Sequence, residues 1–195
     1  MLHSQLPPSS QNTKARNAVK EPWSRFRRVE EHVLGSHPLF RSSCPGFATR
    51  RSPPAGLTLQ CLEFLINHGI KRVINLEQDS RSYSPQQLDS LVKAGIDYRH
   101  LPVEDMHAPD EALLRAAYEF YAAGPEGEST LVHCTAGYGR TGTFVTAIQL
   151  FVTQGRYPES EDVNDVETES QKEILKKIRR QCLEKFSAES REDED

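Results

Sequence analysis

The sequence predicts an α/β fold in which a central, parallel-rich sheet is flanked by helices. Short runs rich in β-branched residues alternate along the chain with longer stretches whose apolar residues recur at helical spacing. Each predicted strand is separated from the next by a helix, and that order favours parallel crossovers over hairpins. A length of 195 residues without internal repeats fits one domain with terminal extensions.

The predicted elements begin at position 56. GLTLQCLEFLINHGI (56–70) has one apolar helical face and a stop at Gly69, and KRVINL (71–76) is typical of a buried strand. SPQQLDSLVKAGI predicts a second helix with Ser84 as its N-cap and Pro85 at its first position. The remaining predicted elements are a strand at 97–103, a helix at 109–124, a strand at 129–134, and helices at 139–155 and 167–186.

The charge distribution separates the termini from the body of the chain. Residues 1–51 hold nine Lys/Arg and three Asp/Glu, whereas the rest holds 15 Lys/Arg and 25 Asp/Glu. We therefore expect a basic, flexible N-terminal arm over 1–35, a folded domain over 36–187 and an acidic tail over 188–195. The arm could dock on an acidic partner or a membrane surface, or it could simply be solvated, while the acidic body argues against nucleic-acid binding.

No apolar run approaches the ~20 residues that span a bilayer, and the N-terminus lacks the apolar region of a secretory signal. We therefore expect a cytoplasmic protein without a transmembrane segment. The irregular spacing of the four cysteines then predicts free thiols and no disulfide framework. We expect Cys61 and Cys182 to pack in the fold, and Cys44 is the candidate for a redox partner of Cys134.

The stretch VHCTAGYGRTG runs from a predicted strand through a glycine-bearing loop into a helix. Inward N–H groups of such a loop, together with the helix dipole, form an anion cradle that also stabilises a thiolate at Cys134. Arg140 offers a planar fork for two phosphate oxygens, and Gly137 and Gly139 allow the backbone to approach the ligand. The hydroxyl of Thr141 could donate a hydrogen bond to the departing sulfur.

HCTAGYGRTG resembles the HCxxGxxR[ST] signature of the cysteine-dependent protein tyrosine and dual-specificity phosphatases, and LFRSSCPGF and KRVINLEQD are similar to further stretches of compact members. The resemblance covers roughly residues 38–186. It implies a protein tyrosine phosphatase-like fold, with 36–187 as the phosphatase domain, and hydrolysis through a cysteinyl-phosphate. No cofactor or metal is expected, because the cradle supplies the positive potential. The phosphate-binding residues it implies are His133, which would order the loop, Thr135, Ala136, Gly137, Tyr138, Gly139 and Arg140.

This mechanism needs a group that protonates the leaving oxygen and then accepts a proton from water. LPVEDMHAPDEALL offers Glu104, Asp105 and Asp110. Asp110 begins a predicted helix, where capping explains an acid, whereas Asp105 has no such local reason. The segment also resembles the acid loop of compact phosphatases, so Asp105 is our first choice, Asp110 the second and Glu104 the third.

VETESQKEIL resembles the T-x-x-Q segment of tyrosine-phosphatase-like members, in which a glutamine positions the hydrolytic water. The resemblance assigns that role to Gln171, and an exposed helix residue is the alternative. The chain departs from the family between Gly155 and Val166, where it is shorter and acidic in place of a helix.

Phosphotyrosine in proteins is the substrate we expect first, with phosphoserine and phosphothreonine possible. Tyr138, and Tyr83 with Arg81, could stack on its ring, although ordinary loop aromatics are the alternative. Phosphoinositide phosphatases of this superfamily often carry lysines inside the loop, so the resemblance makes a phosphoinositide or inositol phosphate the second choice for a loop without lysine. A catalytically weak phospholigand-binding module is a third interpretation, and a bacterial effector delivered into a host cytosol is an alternative setting.

Overall fold

A computed structural model describes residues 22–47, 56–78 and 83–192, with side chains described through 188. This part of the chain forms five strands and five helices around one sheet. In chain order they are β1 (Arg27–Val29), β2 (Leu39–Ser42), α1 (Leu59–Asn67), β3 (Ile70–Asn75), α2 (Pro85–Lys93), β4 (Asp97–His100), α3 (Glu111–Ala122), β5 (Ser129–His133), α4 (Gly139–Val152) and α5 (Glu169–Glu192).

The sheet has the strand order β1-β2-β5-β3-β4. β1 pairs antiparallel with β2, and the other three pairs are parallel, so the predicted parallel-rich sheet is confirmed. β5 lies at the centre of the sheet. Because ligands bind beyond the carboxyl ends of parallel strands, the residues that follow β5 occupy the favoured position for a site.

Successive residues of a strand face opposite sides of the sheet, and two apolar cores result. Ile74 and Val132 pack with α3, α4 and α5, while their neighbours Val73 and Leu131 pack with α1 and α2. α4 is buried along nearly its whole length, because it lies between the sheet and the flanking helices α3 and α5. Its first turn is therefore held rigidly beneath the end of β5.

The predicted start of α2 is confirmed. The Ser84 hydroxyl accepts a hydrogen bond from the Gln87 amide at 3.3 Å, and the Gln87 side chain accepts one from the Ser84 amide at 2.9 Å. This reciprocal capping box, with Pro85 at the first helical position, satisfies amides that the helix itself leaves without a partner.

The expected boundary at residue 35 is wrong, because residues 22–35 belong to the folded domain. Trp23 is 0% exposed and donates an indole hydrogen bond to the Cys61 carbonyl at 3.0 Å. β1 also lies within this segment and extends the sheet. The expected start of the acidic tail at residue 188 is also too early, because α5 continues to Glu192. Residues 1–21 of the predicted arm lie outside the described residues.

Trp23→Ala tests this boundary. Removing a fully buried indole should lower the free energy of unfolding by about 3–5 kcal/mol. The measurement is urea unfolding followed by circular dichroism, with Leu59→Ala as the control, because Leu59 is 71% exposed. A loss of less than about 1 kcal/mol, within the usual range of surface substitutions, would place residues 22–35 outside the core.

Candidate functional site

A short loop joins the last residue of β5, His133, to the first residue of α4, Gly139. Gly137 has a φ of 79°, and a Cβ at this position would lie 2.7 Å from the Ser42 carbonyl carbon and oxygen. Both the conformation and the close approach require glycine. The loop can therefore turn tightly against the neighbouring strand β2.

The inner side of the loop forms a cleft with a volume of about 170 Å³. The Cys134 side chain lies in it, nearly buried, and the Gly137 amide donates a hydrogen bond to Cys134 Sγ at 3.3 Å. The loop therefore directs a backbone donor at the sulfur that the sequence predicts as the nucleophile. The residues that line the cleft are Gln78, Asp105, Met106, Cys134, Thr135, Ala136, Tyr138, Gly139, Arg140, Glu167 and Gln171.

Arg140 is buried and its guanidinium is fixed from several sides. Nη1 donates to the Val103 carbonyl at 2.9 Å, and Nη2 donates to Asp105 Oδ1 at 2.7 Å and Thr135 Oγ1 at 3.0 Å. Thr135 in turn donates to the buried Glu77 carboxylate at 3.1 Å. Glu77 follows β3, and sequence reasoning did not identify it.

The structure brings only one of the three candidate acids into the cleft. The Asp105 side chain is 74% exposed and contacts Arg140 at the cleft. Asp110 instead accepts a hydrogen bond from the Leu113 amide at 2.8 Å as the N-cap of α3. Glu104 is exposed and lies 3.6 Å from the His107 ring nitrogen.

Two arginines hold the carbonyl groups of the loop. Arg41 Nη2 donates to the Gly137 carbonyl and its Nη1 to the Asn164 carbonyl, both at 2.8 Å. Arg25 Nη1 donates to the Ala136 carbonyl at 2.8 Å. Burial and a nearby positive charge lower the pKa of Arg41 to about 10, so it remains a cation at neutral pH. Sequence reasoning missed both residues, although Arg41 lies within the quoted LFRSSCPGF.

His133 lies beneath the cradle, fully buried. Its Nε2 shares a hydrogen bond of 2.9 Å with the Tyr83 hydroxyl, and the Tyr83 ring stacks on Tyr98. Burial lowers the pKa of His133 to about 3, opposed by a hydrogen bond with the Cys134 backbone and reinforced by the charges of His100 and Arg140. The ring is therefore neutral near pH 7 and supports the loop without adding charge.

Of the two interpretations left open for Tyr83, stacking on a substrate ring is wrong, because its side chain is buried against His133. Arg81, its expected companion, lies outside the described residues. Tyr138 does line the cleft, and the Arg25 guanidinium covers its ring at 4.2 Å.

Thr141 and Gln171 are both buried. The Thr141 hydroxyl makes no hydrogen bond within the described ranges, and its hydrogen bond to the departing sulfur of Cys134 stays a prediction. Gln171 is 1% exposed, so the alternative of an exposed helix residue is wrong. Gln171 lines the cleft but is engaged at both ends of its amide. Its Oε1 accepts from the Glu167 and Thr168 amides at 3.1 and 3.2 Å, and its Nε2 donates to the His107 carbonyl at 3.1 Å.

The acidic segment between Gly155 and Val166 is a loop anchored on α4. Asn164 Nδ2 donates to Thr146 Oγ1 at 3.0 Å and Gln149 Oε1 at 2.7 Å. A Cβ on Gly142 would collide with the Asn164 carbonyl, so this loop and the first turn of α4 are in direct contact. The segment leads into Glu167, which forms one wall of the cleft.

The four cysteines, all within the described part of the chain, form no disulfide. Cys61 is packed in the core as expected, and Cys182 is partly exposed but packs against the core, also as expected. No helix among the described residues is long and apolar enough to cross a membrane.

A family model described as Tc-R-P, polymorphic toxin system, DSP-PTPase phosphatase, matches residues 51–155, which is more than half of the chain. No curated protein sequence matches the chain.

Several solved structures of phosphatases share the fold. A mutant form of Tk-PTP is 24% identical, with 80% of this chain and 95% of that chain covered and a TM-score of 0.53. PTPMT1 in complex with PI(5)P is 18% identical, with coverages of 83% and 98% and a TM-score of 0.60. The core catalytic domain of the PP-IP phosphatase SIW14 from S. cerevisiae, in complex with citrate, is 15% identical, with coverages of 87% and 94% and a TM-score of 0.57.

The depressed pKa of His133 predicts acid sensitivity. The unfolded chain takes up the proton near the ordinary pKa of 6.5, whereas the folded chain does so only near 3, so stability is full above pH 6.5 and falls as the pH drops towards 3. Between pH 7.5 and 5 this one group should remove about 2 kcal/mol of stability.

Urea unfolding at both pH values measures the loss. His133→Gln should reduce it, and His107→Gln, which changes an exposed histidine, should leave it as in the wild type. An equal loss in His133→Gln and the wild type would mean that His133 titrates near its ordinary pKa in the folded protein.

Proposed function

Since the chain belongs to the polymorphic toxin system DSP-PTPase phosphatase family, we propose that it hydrolyses phosphomonoesters through a cysteinyl-phosphate on Cys134, with phosphotyrosine in proteins as its first substrate. The observation that carries this proposal is the convergence of Cys134, the Arg140 guanidinium and the Asp105 carboxylate in one cleft. These are a nucleophile, an oxyanion clamp and a proton carrier within reach of one bound phosphate.

In the first step, phosphate oxygens take the place of Asp105 on the Arg140 fork. The Cys134 thiolate attacks phosphorus, and the S–P bond forms as the bond to the leaving oxygen breaks. Asp105, released from Arg140, takes up a proton from solvent and gives it to that oxygen. Arg140 and the loop amides hold the equatorial oxygens. Among these amides, that of Gly137 is directed at Cys134 Sγ and that of Gly139 at a carboxylate that lines the cleft.

In the second step, water attacks phosphorus from the mouth of the cleft and the S–P bond breaks. The water proton passes to the Asp105 carboxylate, and inorganic phosphate and the Cys134 thiolate are the products. Gln171 acts in both steps as a positioning residue for the loop that carries Asp105. Its amide joins the His107 carbonyl in that loop to the main chain of Glu167.

The lining of the cleft favours one phosphate on an aromatic group. Arg140 is the only basic residue among the described lining residues, and Asp105 and Glu167 oppose additional negative charge. Tyr138 and Met106 supply aromatic and apolar surface beside the cradle. The polymorphic toxin description of the family supports the alternative setting, an effector delivered into a host cytosol, where phosphoproteins would be its targets.

Turnover of an aryl phosphate, with reductant and without added metal, tests the mechanism. The wild type should release phosphate, and Cys134→Ser should abolish release because a hydroxyl is a far weaker nucleophile than a thiolate. The variant should still bind a phosphotyrosine peptide in calorimetry. A wild-type protein that binds the peptide without any turnover would instead be a phospholigand-binding module.

Alanine variants of Asp105 and Asp110 form a matched pair that tests which residue is the general acid. Asp105→Ala should slow turnover by about 10²–10⁴-fold, and more for phenyl phosphate than for p-nitrophenyl phosphate, whose leaving group needs no proton. Asp110→Ala should leave turnover unchanged and lower the free energy of unfolding by about 1 kcal/mol, because it removes a helix cap. The reverse pattern in the kinetic constants would transfer the acid role to Asp110.

A further inference from the structure

A second carboxylate, that of Glu167, lies inside the anion cradle. The Gly139 amide donates a hydrogen bond to Glu167 Oε2 at 3.0 Å. This oxygen is so close to the loop that a Cβ on Gly139 would lie 2.5 Å from it. Glu167 lines the same cleft as Cys134 and Asp105, so it occupies an amide that a bound phosphate would approach.

The main chain that carries this carboxylate is held in place by Gln171. Gln171, which is 1% exposed, accepts hydrogen bonds from the Glu167 and Thr168 amides and donates to the His107 carbonyl. The Glu167 main chain is thereby tied to the loop that carries Asp105. A ligand that enters the cradle can turn the Glu167 side chain aside but cannot easily move its charge away from the mouth.

Among the described lining residues of the cleft, Asp105 and Glu167 carry carboxylates and Arg140 carries a guanidinium. Arg41 and Arg25 are directed at loop carbonyls and are not among these lining residues. Because Coulomb repulsion grows with the charge of the ligand, a carboxylate held near the bound phosphate disfavours a polyanion more than a single phosphate.

We propose that Glu167 is a specificity-determining residue that restricts the cradle to a single phosphate with no other anionic group beside it, as on a phosphotyrosine with neutral neighbours. This inference rests on the proposed phosphomonoesterase function. It assigns Glu167 no proton transfer. It predicts that acidic residues next to the phosphotyrosine, or further phosphates on an inositol ring, reduce productive binding.

The proposal is tested with two phosphotyrosine peptides of equal length. One has alanine on both sides of the phosphotyrosine, and the other has glutamate. The wild type should have the higher kcat/KM for the neutral peptide. Glu167→Gln keeps an oxygen acceptor for the Gly139 amide and removes the charge, so the ratio of neutral to acidic kcat/KM should fall by about tenfold at low salt. Raising the ionic strength should shrink the wild-type ratio in the same direction.

Glu169→Gln is the matched control. It neutralises an exposed carboxylate two residues away that pairs with Lys176 and does not line the cleft, so the ratio should remain as in the wild type. An unchanged ratio in a folded, active Glu167→Gln protein would overturn the proposal, as would an equal change in Glu169→Gln.

Peptide affinities in a Cys134→Ser background separate this proposal from the proposed function. Calorimetry measures the dissociation constants of the neutral and the acidic peptide for Cys134→Ser with and without Glu167→Gln. Their ratio reports the preference for the neutral peptide without any turnover. If the wild type has no turnover but this ratio falls with Glu167→Gln, the hydrolytic function fails and the specificity role stands. If both backgrounds bind neither peptide, the specificity role fails as well.

Discussion

At Gly137 the backbone has a positive φ and lies against the main chain of Ser42, and the cradle depends on this contact. The chain must pass from the central strand β5 to the buried helix α4 in a few residues. The turn directs the Gly137 amide towards Cys134 and the carbonyls of the loop towards the arginines behind it. A larger residue would push the loop off β2 and change both directions at once.

The outward carbonyls require partners, and arginines supply them. Arg41 is buried with its charge, which is unfavourable unless the charge is paired and hydrogen-bonded. The Gly137 and Asn164 carbonyls and the Asp165 carboxylate surround it, so this requirement is met. The guanidinium thus binds the loop to the segment before α5, and its positive charge lies behind a cradle that holds a thiol.

Inside the cradle, carboxylates engage the donors that a phosphate would use. Asp105 pairs with Arg140, and Glu167 accepts from the Gly139 amide. The cleft is therefore not a bare positive pocket, because two carboxylates of the chain accept hydrogen bonds from its donors. In the mechanism that we propose, substrate entry exchanges one set of charge-assisted hydrogen bonds for another. That exchange would release Asp105 from Arg140 and would make the cleft sensitive to the charge around the phosphate.

The sequence by itself determined what depends on neighbouring residues: the strand–loop–helix signature at the cleft, the five helices, the Ser84 cap and three of the five strands. Tertiary structure decided the rest. Trp23 anchors on a carbonyl 38 positions away, which no local pattern marks, so the domain was predicted to start too late. The Arg41 contact with Gly137 spans 96 positions, and the Gly139 contact with Glu167 spans 28. Hydrogen bonds between residues so far apart form only when packing brings the elements together. The last two contacts place the Arg41 cation behind the loop and the Glu167 carboxylate at the cleft.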